Sequence, residues 1–396
     1  MRVMYSAWPL AALAIGCLIG SPGPMAAEPP PIRMGASLSL TGTYAALGNN
    51  QQRGYQLCAK RVNDQGGLLR RKVEFILYDD RSDAQTGLRL YEKLVTQDKV
   101  DFLLGPYSSA ITEAVANVSE KYKMPMMAPM AGATSIFKKG RRFIFMVQSP
   151  GEVNLEGLLD VAARKGLKTV ALVNEDTLFP KAGVQGAMEI AKRKGLHVVF
   201  VEAYPKGNTD FSALLIKIRA ANPDVLGAAT YFDDAVALTR QMKELNVNPK
   251  MFGVTVGGDL PKFYELLGAN AEYVYGSTQW EAEFPYPGNR EFVEAFKKEF
   301  GGADPSYHAT GGYAGCMVLV EAVKRAGSLD AEKIRAEILA MDVKSVYGEF
   351  KVDQDGFQTG HKMALFQWQD GKKVMVWPDE LATGKARFPT PAWNQR

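Results

Sequence analysis

Short apolar runs alternate with amphipathic segments along most of the chain. Between residues 32 and 147, the runs at 32–40, 73–78 and 100–104 are each followed by a segment whose apolar residues have helical spacing. Runs this short, bounded by glycine, proline or acidic residues, are typical of buried parallel strands. Repeated strand–helix units therefore predict an α/β sheet with helices on both faces.

The alternation stops at residues 148–151 and then resumes as far as residue 254. This second series predicts another doubly wound sheet rather than an extension of the first. After it come helical patterns at 290–300, 310–326 and 331–339, and strand patterns with glycine turns between 346 and 377. Two similar lobes followed by a long remainder indicate a body that the chain crosses more than once.

The N-terminus has a different composition. Arg2 is followed by an apolar run at 7–20 and by small residues before Glu28, which is the pattern of a secretory signal peptide at residues 1–27. Cys17 lies in this region, but Ala14 stands where a lipoprotein processing site has leucine, so we do not expect a lipid anchor. We therefore expect an exported protein.

The charge balance gives no reason to expect a nucleic-acid partner. The chain has 47 lysines and arginines against 43 acidic residues, a net charge of +4, and no long basic run. Cys58 and Cys316 remain beyond the signal peptide, both on apolar faces of predicted helices. Two buried thiols is the simplest interpretation, and a disulfide is an open alternative. The three histidines are scattered, so no metal site is predicted.

One strand–helix junction stands out as a candidate binding site. The strand at 100–104 ends in Gly105-Pro106, and Ser108 and Ser109 fall where the next helix begins. A helix start exposes N–H groups and a positive dipole end, which suits a carboxylate. Serine is also a common N-cap, so capping and ligand contact both remain open for these residues.

Enzymatic motifs find no support in the sequence. It lacks the glycine-rich dinucleotide and nucleotide phosphate loops and the Gly-x-Ser-x-Gly elbow of hydrolases. The paired acids Asp79-Asp80 and Asp233-Asp234 fit helix caps or turns better than a general acid–base pair. We expect no cofactor and no enzymatic activity, with a hydrolase as the weaker alternative.

Over residues 32–377 the chain resembles the periplasmic solute-binding proteins of branched-chain amino-acid ABC transporters, the leucine/isoleucine/valine-binding type. The segments that carry this resemblance are Ser39-Leu40-Thr41-Gly42, Ala46-Leu47-Gly48, Asn63-Asp64-Gln65-Gly66-Gly67, Tyr78-Asp79-Asp80, Gly105-Pro106-Tyr107-Ser108-Ser109, Asn208-Thr209-Asp210-Phe211-Ser212 and Gly312-Tyr313-Ala314.

The resemblance implies a type I periplasmic binding protein fold, an α/β fold whose two doubly wound parallel-sheet lobes are joined by a three-stranded hinge. The crossings would lie near Gln148, Gly276 and Gly360. Lobe 1 would then contain residues 28–147 and 276–360, and lobe 2 residues 148–275 and 361–396. It also implies a periplasmic monomer that captures a small-molecule carboxylate ligand and delivers it to a membrane permease. A ligand-sensing receptor domain is an alternative.

The resemblance further implies the ligand-binding residues. The family's carboxylate-binding serine matches Ser109, with Ser108 beside it. In chain order, the family's other contact positions fall on Leu47, where amino-acid binders often have an aromatic residue, and on Gly132, Thr134, Phe179, Tyr231 and Thr255.

Thr255 marks a departure, because amino-acid binders of this family have a glutamate there for the ligand ammonium. Either Asp259 or Asp233 replaces that charge, or the ligand has no amino group, since an unpaired buried ammonium is costly. Phe179 and Tyr231 would contribute to an aromatic cleft. The resemblance implies a branched-chain or other hydrophobic amino acid as the ligand. The departure at Thr255 makes an aromatic or other non-amino carboxylic acid, or an amide, the alternative.

Overall fold

The computed structural model describes residues 29–396, so the predicted signal peptide and Cys17 lie outside the described residues. The first sheet is entirely parallel, with strand order β2-β1-β3-β4-β5. Its strands are β1 (Ile32–Leu38), β2 (Val73–Asp79), β3 (Phe102–Leu104), β4 (Met126–Ala128) and β5 (Ile144–Met146).

The second sheet has seven strands in the order β14-β13-β10-β9-β8-β6-β7. All neighbours are parallel except that β13 runs antiparallel to both β10 and β14. A separate hairpin pairs β11 (Asp342–Ser345) with β12 (Gly348–Lys351). The seven strands are β6 (Thr169–Glu175), β7 (His197–Tyr204), β8 (Val225–Ala229), β9 (Met251–Val254), β10 (Tyr275–Thr278), β13 (Ala364–Gln369) and β14 (Lys372–Trp377).

Helices cover both sheets, which confirms the predicted α/β fold of two doubly wound lobes. The helices packed on the first sheet or on one another beside it are α1 (Ala45–Asp64), α2 (Ala84–Thr96), α3 (Ser109–Tyr122), α4 (Thr134–Phe137), α10 (Asn289–Glu299), α11 (Tyr307–Ala326) and α12 (Ala331–Ala340). Those of the second lobe are α5 (Glu156–Arg164), α6 (Leu178–Arg193), α7 (Ser212–Ala221), α8 (Phe232–Glu244) and α9 (Pro261–Leu267).

Three chain segments pass between the sheets, and side-chain hydrogen bonds tie them together. The Ser149 backbone N–H donates to Gln279 Oε1 at 3.1 Å, and Ser149 Oγ donates to the His361 carbonyl at 3.0 Å. The exact division of the chain into lobes stays a prediction, but the boundary at residue 276 falls inside β10. Since Tyr275–Thr278 pairs along its length with β13, the chain leaves the second sheet after Thr278.

A disulfide joins α1 to α11 in the first lobe. The Cys58 and Cys316 sulfur atoms are bonded, and their Cα atoms lie 6.3 Å apart. The simplest sequence interpretation, two buried thiols, is therefore wrong. The helices come this close because residue 54 is glycine: a Cβ there would lie 2.0 Å from the Ala309 carbonyl oxygen. Such a crosslink typically stabilises a fold by about 2–4 kcal/mol.

Helix α1 begins at Ala45, inside the segment 41–49, whose glycines and lack of hydrophobic periodicity predict a loop. Its first turns carry little hydrophobic periodicity because Asn49 and Asn50 occupy them. The side-chain amides of these asparagines donate to the Ala45 and Ala46 carbonyls at 2.7 Å each, so polar residues bond along the helix itself. The early start places Tyr44 directly before the helix, facing the second lobe.

Candidate ligand-binding site

A small cavity lies between the lobes, where the carboxyl ends of the strands of both sheets meet. In an open α/β sheet this is the usual position for a ligand. Its volume is about 20 Å³, room for roughly one water molecule. The first lobe contributes Tyr107, Ser108, Ser109, Met130, Tyr307 and His308 to its lining. The hinge segments and the second lobe contribute Gln148, Asn154, Phe179, Tyr231, Val256 and Gln279.

Ser108 is the N-cap of α3, as the capping alternative predicted. Its hydroxyl oxygen accepts the Ile111 backbone N–H at 3.4 Å, and its own backbone has φ +77° and ψ 147°. This conformation is unusual for a residue with a side chain, and strain of this kind concentrates at ligand-binding positions. The bend it produces turns Ser109 toward the loop that follows β4.

Ser109 bridges that loop rather than capping its own helix. Its Oγ accepts the backbone N–H groups of Gly132 and Ala133 at 3.0 and 3.1 Å. A hydroxyl has two acceptor lone pairs and one proton, so with both lone pairs used Ser109 can act only as a donor to a further partner. The Ser109 proton is therefore what this hydroxyl can offer to a hydrogen-bond acceptor in the cavity.

Gly132 and Phe179 meet across the cleft. A Cβ at Gly132 would lie 2.9 Å from both Phe179 Cε2 and Gln148 Nε2, so only glycine leaves room for the ring at this distance. Phe179 comes from the start of α6 in the second lobe and is 6% exposed. The structure therefore brings these two predicted residues together with Ser109.

Aromatic rings fill much of the space between the lobes. The Tyr231 ring, directly before α8, lies 6.0 Å from that of Phe179 and 6.3 Å from that of Tyr107, measured between centroids. Tyr44 adds a further ring from the first lobe, 4.5 Å from Tyr231. Centroids about 4.5–7 Å apart are typical of aromatic rings packed directly on one another, so these rings form one apolar aromatic wall of the cleft.

Four predicted site residues lie outside the cavity lining, namely Gly132, which contacts Phe179 as described above, and Thr134, Thr255 and Leu47. Thr134 begins α4 and is half-buried, with its backbone N–H bonded to Glu152 Oε1 at 3.1 Å. The Thr255 hydroxyl is engaged by Thr230, accepting its N–H at 3.0 Å and donating to its carbonyl at 3.2 Å. Leu47 is fully buried in the core of the first lobe. Their role in ligand binding stays a prediction that these contacts do not favour.

The polar groups of the lining are uncharged. None of its twelve residues, as the structure describes them, is an acid, a lysine or an arginine. His308 is 1% exposed, and burial lowers its pKa to about 3, so the imidazole is neutral at physiological pH. Its Nε2 lies 3.3 Å from Tyr107 Oη. A ligand in this cavity meets amide, hydroxyl and imidazole groups.

Asp259 is a buried acid whose charge acts on two residues of this lining, Tyr107 and Tyr307. It is 3% exposed, and its Oδ1 has no hydrogen-bond partner within residues 29–396. Burial raises its pKa to about 7, while the charge of Lys373 opposes that shift. Burial raises the pKa of Tyr107 and Tyr307, two cavity-lining residues, and the charge of Asp259 adds to both shifts. Asp233, the other acid that the sequence offered, is exposed.

Sequence reasoning missed the amides and the histidine of the cavity. Gln148 and Gln279 lie on hinge segments. A polar residue in a segment that crosses between the lobes was the one sign in the sequence that could have indicated a ligand contact. Tyr107 was adjacent to the predicted serines, and His308 follows the N-cap Ser306 of α11. Their positions depend on how distant segments meet, which spacing alone does not give.

Two further properties bear on the kind of protein. Between residues 29 and 396, no helix is both long and apolar enough to span a membrane. Over the same residues, no three or more histidine, cysteine, aspartate or glutamate side chains are grouped so that they could hold a metal ion.

Comparisons with known proteins extend over nearly the whole chain. A family model described as periplasmic binding protein matches residues 31–373. "Leu/Ile/Val-binding protein homolog 7" of Brucella melitensis biotype 1 is 27% identical over 400 residues, covering 96% of this chain and 99% of the relative.

Solved structures share the fold at lower identity. The branched-chain amino-acid binding protein LivJ of Streptococcus pneumoniae, in complex with isoleucine, superposes with a TM-score of 0.80 at 22% identity, covering 88% of this chain and 100% of LivJ. A solute-binding protein of an ABC transporter from Rhodopseudomonas palustris BisB5, in complex with 3,4-dihydroxybenzoic acid, gives 0.77 at 24% identity, with 90% and 97% covered. Since the family model spans both lobes, this chain belongs to the periplasmic binding protein family.

Proposed function

We propose that this protein is the periplasmic ligand-binding component of an ABC importer, capturing a small apolar carboxylate and delivering it to a membrane permease. The observation that carries the proposal is the Ser109 hydroxyl, which lines the cavity and can only donate. It lies at the start of the 14-residue helix α3, whose positive dipole end favours an anion. A carboxylate is the acceptor that satisfies both features.

The lining favours a ligand whose remaining groups are apolar or uncharged. Phe179, Tyr231 and Tyr107 would contact a ring or a branched chain, while Gln148, Gln279 and His308 offer neutral hydrogen bonds. No acid lines the described cavity to pair with an ammonium. This supports an aromatic or other non-amino carboxylic acid, the kind of ligand bound by the Rhodopseudomonas palustris relative.

A hydrophobic amino acid is the second candidate, and Asp259 is the observation that favours it. Its unpartnered Oδ1 is a buried acceptor close to Tyr107 and Tyr307. An ammonium at that point would satisfy it and offset the cost of its burial. The isoleucine complex of the Streptococcus pneumoniae relative is consistent with this ligand class.

Binding requires the lobes to separate, because a cavity of about 20 Å³ cannot admit an amino acid or a benzoate. The three hinge segments provide the axis for that movement. We infer a monomer with a capture-and-release cycle, no cofactor and no chemical change in the ligand.

A thermal-shift screen of the protein without residues 1–27 tests the ligand class. Benzoate and hydroxybenzoates form one panel, and leucine, isoleucine and valine the other. A ligand at a hundred times its Kd contributes about 2.7 kcal/mol, which should raise Tm by about 4 °C. We expect the aromatic acids to produce this shift. A shift with the amino acids alone would assign the site to the second candidate, and none with either panel would contradict the proposed ligand class.

A further inference from the structure

Contacts between the lobes also occur at the edge of the molecule away from the hinge. Strand β2 ends the first sheet on the side opposite β5, from which the first hinge segment leaves. Strand β7 ends the second sheet on the side opposite β10 and β13. The segments that follow β2 and β7 therefore meet at the open side of the cleft. Because this side is farthest from the hinge, an attraction here opposes rotation of the lobes most effectively.

A lysine of the second lobe reaches the first lobe at this edge. Lys206, just after β7, donates from Nζ to the Ser82 carbonyl oxygen, just after β2, at 2.6 Å. The same Nζ lies 4.3 Å from the centroid of the Tyr44 ring. A charge-assisted hydrogen bond and a cation–π contact thus converge on one side chain, and both are lost if the lobes separate.

A second hydrogen bond crosses the cleft beside the first. Tyr44 Oη donates to Glu175 Oε1 at 3.2 Å, from the first lobe to the end of β6 in the second. Glu175 is 1% exposed and is held in place by Thr177, whose hydroxyl donates to the same oxygen at 2.8 Å. The charge of Lys206 also acts favourably on Glu175. The carboxylate is therefore fixed before the lobes meet.

Each of these contacts runs directly from one lobe to the other, so none of them needs a ligand to bridge the cleft. We propose that Tyr44, Ser82, Glu175 and Lys206 form a cleft latch that holds the lobes closed without bound ligand and slows the release of a captured one. The latch is independent of the ligand class, because its four residues are not in the cavity lining.

Interlobe distances in the ligand-free protein test the cleft latch. In protein without residues 1–27, spin labels at Gln85→Cys on α2 and Glu189→Cys on α6 report the separation, since both positions are exposed and Cys58 and Cys316 are bonded to each other. We expect Lys206→Met to lower the ratio of closed to open molecules about tenfold, and Tyr44→Phe to lower it several-fold. These values follow from the usual free-energy contribution of a hydrogen bond that involves a charged group.

Two variants that break comparable contacts inside one lobe serve as controls. Lys181→Met removes an ion pair with Asp176 in the second lobe, and Tyr122→Phe removes a hydrogen bond to Glu92 in the first. Neither should change the distances. The cleft latch is refuted if Lys206→Met matches Lys181→Met, or if the native protein shows only the open distance. Because no ligand is added, this result is separate from that of the ligand screen.

Discussion

Replacing Ser109 with alanine is expected to weaken binding of the carboxylate ligand about 100-fold, the largest effect of any single substitution in the cavity. The variant removes the hydroxyl proton donated to the anion, and hydrogen bonds to charged groups contribute about 1.5–3 kcal/mol. It also releases the Gly132 and Ala133 N–H groups that position the opposing loop. Calorimetric titration of native and variant protein measures the change in Kd.

A nearby serine provides the matched control for this substitution. Ser135 lies on α4, three residues beyond Gly132, and is exposed rather than part of the lining. Ser135→Ala should bind as the native protein does. If Ser109→Ala keeps native affinity while remaining folded, with its thermal unfolding still cooperative, the carboxylate position is wrong.

The second large effect concerns Asp259 and the pH dependence of stability. Because burial raises its folded-state pKa to about 7 from the ordinary 3.8, the folded protein keeps a proton that the unfolded chain releases between those values. Stability from this group is fully present below pH 3.8 and is lost as pH rises toward 7. The difference between these two pKa values corresponds to about 4 kcal/mol in the free energy of unfolding.

Asp259→Asn should remove this loss of folding stability at rising pH, because asparagine does not ionise. We expect the variant and the native protein to have similar free energies of unfolding near pH 4, and the variant to be more stable by up to about 4 kcal/mol at pH 8. Urea denaturation at both pH values measures the free energy of unfolding. Asp64→Asn, at an exposed position, is the control. Equal pH profiles for native protein and Asp259→Asn would show that Asp259 does not carry the raised pKa.

Local patterns were sufficient to predict the fold because most strands and most helices carry their own periodicity, although β11 (Asp342–Ser345) lies outside the predicted strand patterns. The short apolar runs at 32–40, 73–78 and 100–104 became β1, β2 and β3, and the first segment between the sheets follows β5, where the alternating pattern stops. The start of α1 was missed because Asn49 and Asn50 form side-chain bonds along the helix instead of showing an apolar face. The state of Cys58 could not be predicted, since it depends on how closely α1 approaches α11.

The candidate site also contains residues that the sequence could predict and others that it could not. Ser109, Gly132, Phe179 and Tyr231 were predictable because they lie at strand ends or helix starts that face the cleft. Thr255 lies at an equivalent position, but its hydroxyl is engaged by Thr230 of the neighbouring strand.

The cavity residues Gln279 and His308, and Tyr44 of the cleft latch, come from segments far apart in sequence. Their proximity follows from lobe closure, on which a single-sequence pattern carries no information.

Comparing a carboxylic acid with its amide tests the central claim most directly. The acid with the strongest thermal shift and its primary amide have nearly the same shape, and only the acid presents an anion to Ser109 and the start of α3. Calorimetric titration should give one acid molecule per chain and about 100-fold weaker binding of the amide. Equal affinity for acid and amide would contradict a site built to hold a carboxylate.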